Sequence, residues 1–291
     1  MFVRLLKTVA LFSKSDVIPI LGPSLAVAMV LGGPTEVCSF VMGFLWLELH
    51  LLTFEVIGLE EDRLSKPYRP IACGRISVAS AERLYILVGV CALAWSAYHD
   101  LLVCSAVYML AIYAYNECAF SRHWFFKSFL GAVGYVCYCW GTTSIFDHGN
   151  ALSTTSIIAI AASGLMHVTT GHAQDFRDIS GDAAIGRTTL PMLLPSSFAR
   201  WSLALLLALW TLAHTFVWSP PVGITVLFAG LAAAATVRFV LSVPEHEREK
   251  ADGAAYWWYN MWLITAHMLP LCTPARLDAW RIVGPSSFLA Y

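Results

Sequence analysis

Seven acidic residues stand in two short stretches of the chain, spaced as metal ligands are. The first stretch, FEVIGLEEDRLSKPYRPIACGRIS, carries Glu55, Glu60, Glu61 and Asp62; the second, GHAQDFRDISGDAAIGRTTLP, carries Asp175, Asp178 and Asp182. Glu55 and Asp62 lie two helical turns apart and project from one face. Asp175, Asp178 and Asp182 follow an i, i+3, i+7 pattern and share a face if their helix continues. Carboxylates so crowded repel one another unless a cation neutralises them. Their hard oxygens suit magnesium, which keeps part of its water and bridges to phosphate oxygens. The same stretches hold Arg63, Lys66, Arg69, Arg177 and Arg187, and Lys127 opens a later apolar run. Acids for a metal beside bases for phosphate oxygens predict a diphosphate site. One such stretch is an ordinary solvated charge run; two with matched spacing on one side of a membrane are not.

The elements that position these residues are membrane helices. Hydrophobic residues make up 58% of the chain and charged residues 13%, about half the charge of a soluble domain. The mean hydropathy is +0.66. Nine apolar stretches are long enough to cross a bilayer, at 17–33, 36–58, 80–98, 101–118, 124–145, 152–174, 198–217, 221–243 and 254–272. Of the eighteen Lys and Arg residues only Arg276 and Arg281 fall on the far side of that topology, a strong positive-inside bias. It places the N-terminus and both acidic loops in the cytoplasm, where the acids are expected to face water. The first fifteen residues, MFVRLLKTVALFSKS, read as an amphipathic helix on the membrane surface. The chain is thus predicted to be all-α, one transmembrane domain over 1–291. A net charge of −1 offers no basic stripe for nucleic acid, and no feature calls for a protein partner. The eight cysteines, mostly inside apolar runs with no CxxC pair, read as small buried hydrophobes.

Polar and aromatic residues within the spans are the remaining candidates. Glu48 shares a face with Glu55 and Asp62, and an ionisable group at that depth is a functional candidate, lining a cavity or hydrogen-bonded between helices. His50 stands two residues beyond Glu48; His167 and His172 read as helix-packing groups, with His172 also able to support Asp175 from behind, and Asn116 and Asn260 read as interhelical hydrogen-bonding groups or cavity lining. Trp46, Tyr108, Tyr113, Tyr115, Tyr135, Tyr138, Trp140, Trp257, Trp258, Tyr259 and Trp262 offer ring faces to a cation, or belong to packing and interfacial belts.

DFRDISGDAAIGRTTLP closely resembles the second motif of the UbiA superfamily of intramembrane prenyltransferases, DxxDxxGD followed by G-R-x-T-L-P, and RPIACG resembles the end of the first. The resemblance implies a helical bundle around a central cavity, magnesium and diphosphate between the two motifs, and an isoprenyl tail in an apolar tunnel. It implies that Glu55, Glu61, Asp62, Asp175, Asp178 and Asp182 hold Mg2+, and that Lys66, Arg69, Lys127 and Arg187 contact the diphosphate. The aromatic prenyltransferases of the superfamily carry NDxxDxxxD in the first motif; here those positions are Phe54, Glu55, Gly58 and Asp62, so the leading Asn and middle Asp are lost. EEDRLSKPYRP, LFSKSD before the first span, and Tyr115-Asn116-Glu117 are instead similar to the fungal branch, which includes membrane-bound terpene cyclases. That branch implies cyclisation of a linear isoprenyl diphosphate, farnesyl ahead of geranylgeranyl, in the endoplasmic reticulum. Tyr115 and Asn116 are then expected at the diphosphate, and Glu48, Tyr135, Tyr138, Trp258 and Trp262 along the cavity. The alternative is prenyl transfer to an aromatic acceptor.

Overall fold

The computed structural model describes residues 2–33, 35–55, 62–63, 66–241 and 243–273, with side chains at these positions except 2–6, 54, 55 and 245. All regular structure among them is helical. The main elements are α1 (Phe2–Ser13), α2 (Gly22–Gly32), α3 (Val37–Glu55), α4 (Val78–Tyr98), α5 (Leu102–Asn116), α6 (Trp124–Phe146), α7 (Thr154–Thr170), α8 (His172–Asp175), α9 (Ile179–Ala184), α10 (Leu190–Leu193), α11 (Ser196–Trp218), α12 (Val222–Val240) and α13 (Arg248–Met268). A π turn, Val17–Leu21, leads into α2. Capping follows the sequence: Ser77 and Ser153 accept from the backbone N–H groups of Ser80 and Ser156, at 3.2 and 3.1 Å, which satisfies orphan donors at the starts of α4 and α7.

Helix α6 is the hub of the bundle, packed against α2, α3, α5 and α7, while α11, α12 and α13 pack in series and close back onto α2. Close approach in membrane bundles depends on small residues. A Cβ on Gly141 of α6 would come within 2.2 Å of the Trp46 ring on α3, and one on Gly43 of α3 within 2.5 Å of Phe146 on α6. Away from the hub, Trp262 of α13 stacks on Phe228 of α12 at 5.8 Å and donates to Thr211 of α11 at 2.9 Å.

Among the described residues four helices, α4, α6, α11 and α12, are long and apolar enough to cross a membrane, and Lys7–Ser13 with Val17–Gly32 adds a pair bent by 68°. Val37–Thr53 and Leu102–Asn116 are shorter apolar helices. At 17 residues α7 is also short, and α13 opens on the charged run Arg248, Glu249, Lys250, Asp252. The outer faces of α4, α11 and α12 are rows of exposed Ile, Leu, Val and Phe, as a lipid-facing surface requires. The protein is an integral membrane protein. Buried cysteines were expected; the structure buries Cys137 and Cys139 and leaves Cys38, Cys73, Cys91 and Cys118 exposed, all eight as free thiols. Cys38 and Cys91 lie on outward faces of α3 and α4, which sequence hydrophobicity does not distinguish from a core, and Cys73 and Cys118 lie in turns.

Candidate functional site

One cavity of about 210 Å³ runs into the bundle from the ends of α5, α6 and α7; a second, near Trp218, is about 10 Å³, room for roughly one water. The large cavity is charged at one end. Asp62, Lys66 and Arg69 reach it from the stretch between α3 and α4, Asp16 from the segment between α1 and the π turn, Lys127 from the first turn of α6, and Asp175, Asp178, Asp182 and Arg187 from α8, α9 and the turn beyond.

These groups hold one another. The buried Arg69 donates through Nη1 to Asp62 Oδ1 at 2.9 Å, and through Nη2 to Ser15 Oγ at 2.9 Å and Asp16 Oδ2 at 3.3 Å. Lys127 Nζ donates to both Asp175 Oδ1 at 2.6 Å and Asp182 Oδ2 at 2.7 Å. Arg187 Nη1 takes the other oxygen of Asp182 at 2.9 Å, its guanidinium 5.8 Å from the Tyr115 ring centre. Asp178 is looser, 3.4 Å from both Arg177 Nε and Gln174 Nε2. Burial pushes the Asp175 carboxyl above its ordinary value, against the pull of the Lys127 ammonium.

The helix carrying the second acidic motif does not continue as its spacing suggests. It stops at Asp175, turns through Phe176–Asp178 and restarts at Ile179. Asp175 and Asp182 still converge, because a single ammonium from another helix sits between them. Nor do they face bulk water: both are buried, at 4% and 2% exposure. Glu55 and Glu61 lie outside the described residues, as side chain and as whole residue. Among the described residues no three Asp, Glu, His or Cys side chains close around one point, since Lys127 and Arg69 take up the carboxylates. The donor set nonetheless fits a hard divalent cation: four motif carboxylates line one cavity, and two of them are crowded around one ammonium.

Beyond the charges the cavity becomes aromatic and apolar. Tyr108, Tyr115, Tyr135 and Tyr138 line it with Ala111, Ile112, Ala132, Gly134 and His167, and Asn116 stands with Tyr115 at the end of α5. Tyr108 Oη donates to the His50 carbonyl at 2.6 Å and shares a 2.5 Å hydrogen bond with Tyr138 Oη. Behind them His50 Nε2 meets Ser105 Oγ at 2.6 Å, and Trp46 Nε1 donates to Ser96 Oγ at 2.7 Å.

Three of the expected cavity residues lie elsewhere. Glu48 is at the α1–α3 contact, hydrogen-bonded by Ser13. Trp262 is buried between α11, α12 and α13, and Trp258 packs against that same core. Of the other ring candidates Tyr113 and Trp257 are exposed, while Trp46 stacks on His50 and Tyr259 packs on Tyr256. His172 is buried near Phe176 and makes no bond to Asp175. Asp16, which ends the LFSKSD segment, and Gln174 also line the cavity, although neither was given a site role from sequence. For Gln174 the signal was its place four residues before Asp178; for Asp16 it was a carboxylate opening an apolar run.

An intramembrane helical bundle whose charged cavity mouth is built by two acidic motifs defines a class of prenyl-handling proteins. Residues 55–264 match the UbiA prenyltransferase family. The chain is 41% identical to the fumagillin β-trans-bergamotene synthase of Aspergillus fumigatus over 92% of its length and 93% of that protein's. It is 29% identical to the somaliensene A/B synthase of Streptomyces somaliensis, over 77% of each chain. A UbiA homolog from Archaeoglobus fulgidus, solved bound to GPP and Mg2+, has the same fold, with a TM-score of 0.60 at 17% identity over 92% of this chain and 99% of that one. The chain belongs to the UbiA prenyltransferase family, on the branch of the fungal synthase.

Proposed function

We propose that the protein is a magnesium-dependent membrane terpene cyclase. It ionises a linear isoprenyl diphosphate, farnesyl diphosphate first and geranylgeranyl diphosphate second, and closes the freed chain on itself. One observation carries this reading: a single cavity holds five carboxylates and four bases at one end and four tyrosine rings among small apolar residues at the other. That is the shape of a charged head joined to a reactive apolar tail. The names of the fungal and Streptomyces relatives support the same chemistry.

The charge balance argues for the metal. A diphosphate adds roughly three negative charges to a mouth whose acids already exceed its bases by one. Asp62, Asp175, Asp178 and Asp182 would hold magnesium, joined by Glu55 and Glu61. Bound there, magnesium supplies Lewis-acid stabilisation of the charge that develops on the leaving oxygen. Lys66 has no ion pair among the described residues and takes a phosphate oxygen, with Arg69, Lys127 and Arg187 positioned to follow. Tyr115 and Asn116 mark where head gives way to tail. Below them the tyrosine faces steady the migrating cation, and the packed walls exclude the water that would quench it.

In this reading the chain is one domain of nine crossings, with α2, α3, α4, α5, α6, α7, α11, α12 and α13 as the spans. The N-terminus and acidic loops face the cytoplasm, in the membrane of the endoplasmic reticulum. The test is incubation of microsomal protein with farnesyl diphosphate and magnesium, followed by gas chromatography. A cyclic hydrocarbon that disappears with chelator is expected. Prenylated product only when an aromatic acceptor is added overturns the cyclase in favour of a transferase.

A further inference from the structure

Every acid and every Lys or Arg that lines the cavity stands at its mouth. On the apolar floor a single lining side chain offers a basic nitrogen, His167. It lies eight residues before Asp175, about 12 Å along the helical rise. Its Nδ1 is 2.9 Å from the Ser163 carbonyl oxygen. A carbonyl only accepts, so Nδ1 carries the hydrogen, and in the neutral ring Nε2 holds the lone pair. Among the described residues no hydrogen bond occupies Nε2. The ring is kept in place by Tyr135 stacked on one face and by the His267 ring, whose centre is 6.3 Å away. His267 does not compete for the lone pair, since its Nε2 accepts from Ser163 Oγ at 2.7 Å. Tyr108 and Tyr138 spend their hydroxyls on each other and on the His50 carbonyl.

A base so placed has a use in the reaction proposed above, on which this inference rests. Heterolysis sends the carbon–oxygen electron pair away with the diphosphate. Attack by a chain alkene then moves the positive charge down the tail, away from the mouth. The cation is discharged when a neighbouring C–H bond gives its electron pair to a new C=C bond and its proton to an acceptor. We infer that His167 Nε2 is that acceptor and so sets which alkene leaves the enzyme. The imidazolium returns its proton to water once the diphosphate has gone.

The test counts terpene products per diphosphate released by His167→Asn, which keeps the bond to the Ser163 carbonyl without a basic nitrogen. His167→Gln, which keeps the reach, serves as the second variant. The main wild-type hydrocarbon is expected to fall at least about tenfold per diphosphate released, replaced by alcohols or other alkenes. In His167→Ala, imidazole restores the native product and thiazole, of the same shape but far less basic, does not. An unchanged profile in either releasing variant, or equal rescue by thiazole, overturns the assignment. Diphosphate release with no cyclic product from the wild-type protein would instead sink the cyclase reading.

Discussion

Two sets of buried ion pairs sit at the same end of the bundle and are built differently. Arg200 of α11 meets Asp252 of α13 through both terminal nitrogens, at 2.6 and 2.7 Å, and donates also from Nη1 to the Phe239 carbonyl and from Nε to Ser196 Oγ. Its plane stands 4.6 Å over Phe176. One charge meets one charge, and neither residue lines the cavity. Around Lys127 the partners are shared: one ammonium serves two carboxylates, one of which also takes Arg187, and all four residues open on the cavity. Both arrangements bear the desolvation cost of buried charge. The paired one holds three helices and the motif loop in place. The shared one opens on a cavity whose lining acids exceed its bases by one, and leaves capacity for a ligand that brings charge of its own.

Substitutions can break that contrast. Asp175→Ala or Asp182→Ala is expected to lower product formation by about 10²–10³-fold, the usual cost of a lost charge-stabilising group. Thermal unfolding in detergent should shift little, because Lys127 keeps its other carboxylate. Activity retained in both variants would remove the second motif from the reaction. Arg200→Met alone should destabilise the protein by about 3–5 kcal/mol, since Asp252 is left buried and unpaired, and adding Asp252→Leu should recover most of that loss. The melting temperature of the single and double variants decides it. The smallest effect is expected at the rim: Lys66→Ala should raise KM several-fold while the melting temperature stays put. A stability loss there would mean that Lys66 belongs with Arg200 rather than with Lys127.

Much of this site was legible in the residues themselves. DxxDxxGD located Asp175, Asp178 and Asp182, and the R-P-x-x-x-G segment located Arg69, because both motifs concentrate their chemistry within a few turns. Less could be read where partners are distant. Lys127 and Asp182 are 55 positions apart, and Arg69 and Asp16 are 53; nothing local says that either pair meets. The aromatic candidates show the same limit. Eleven rings of similar local setting were indistinguishable along the chain, and the fold admits Tyr108, Tyr115, Tyr135 and Tyr138 to the cavity while it spends Trp262 on the α11–α13 core.

Composition and motif spacing determined by themselves that the chain is helical, lives in a membrane and gathers acids and bases in two short motifs. Those properties depend on residue type, on the apolar length needed to cross a bilayer and on the helical period, all of which are local. Only the tertiary structure decided which ammonium stands between which carboxylates, that Glu48 faces α1 rather than the cavity, and that a histidine with a free nitrogen closes the floor. Each of these depends on which helix face meets which neighbour, and hydrophobicity nearly uniform around a membrane helix leaves that choice to packing.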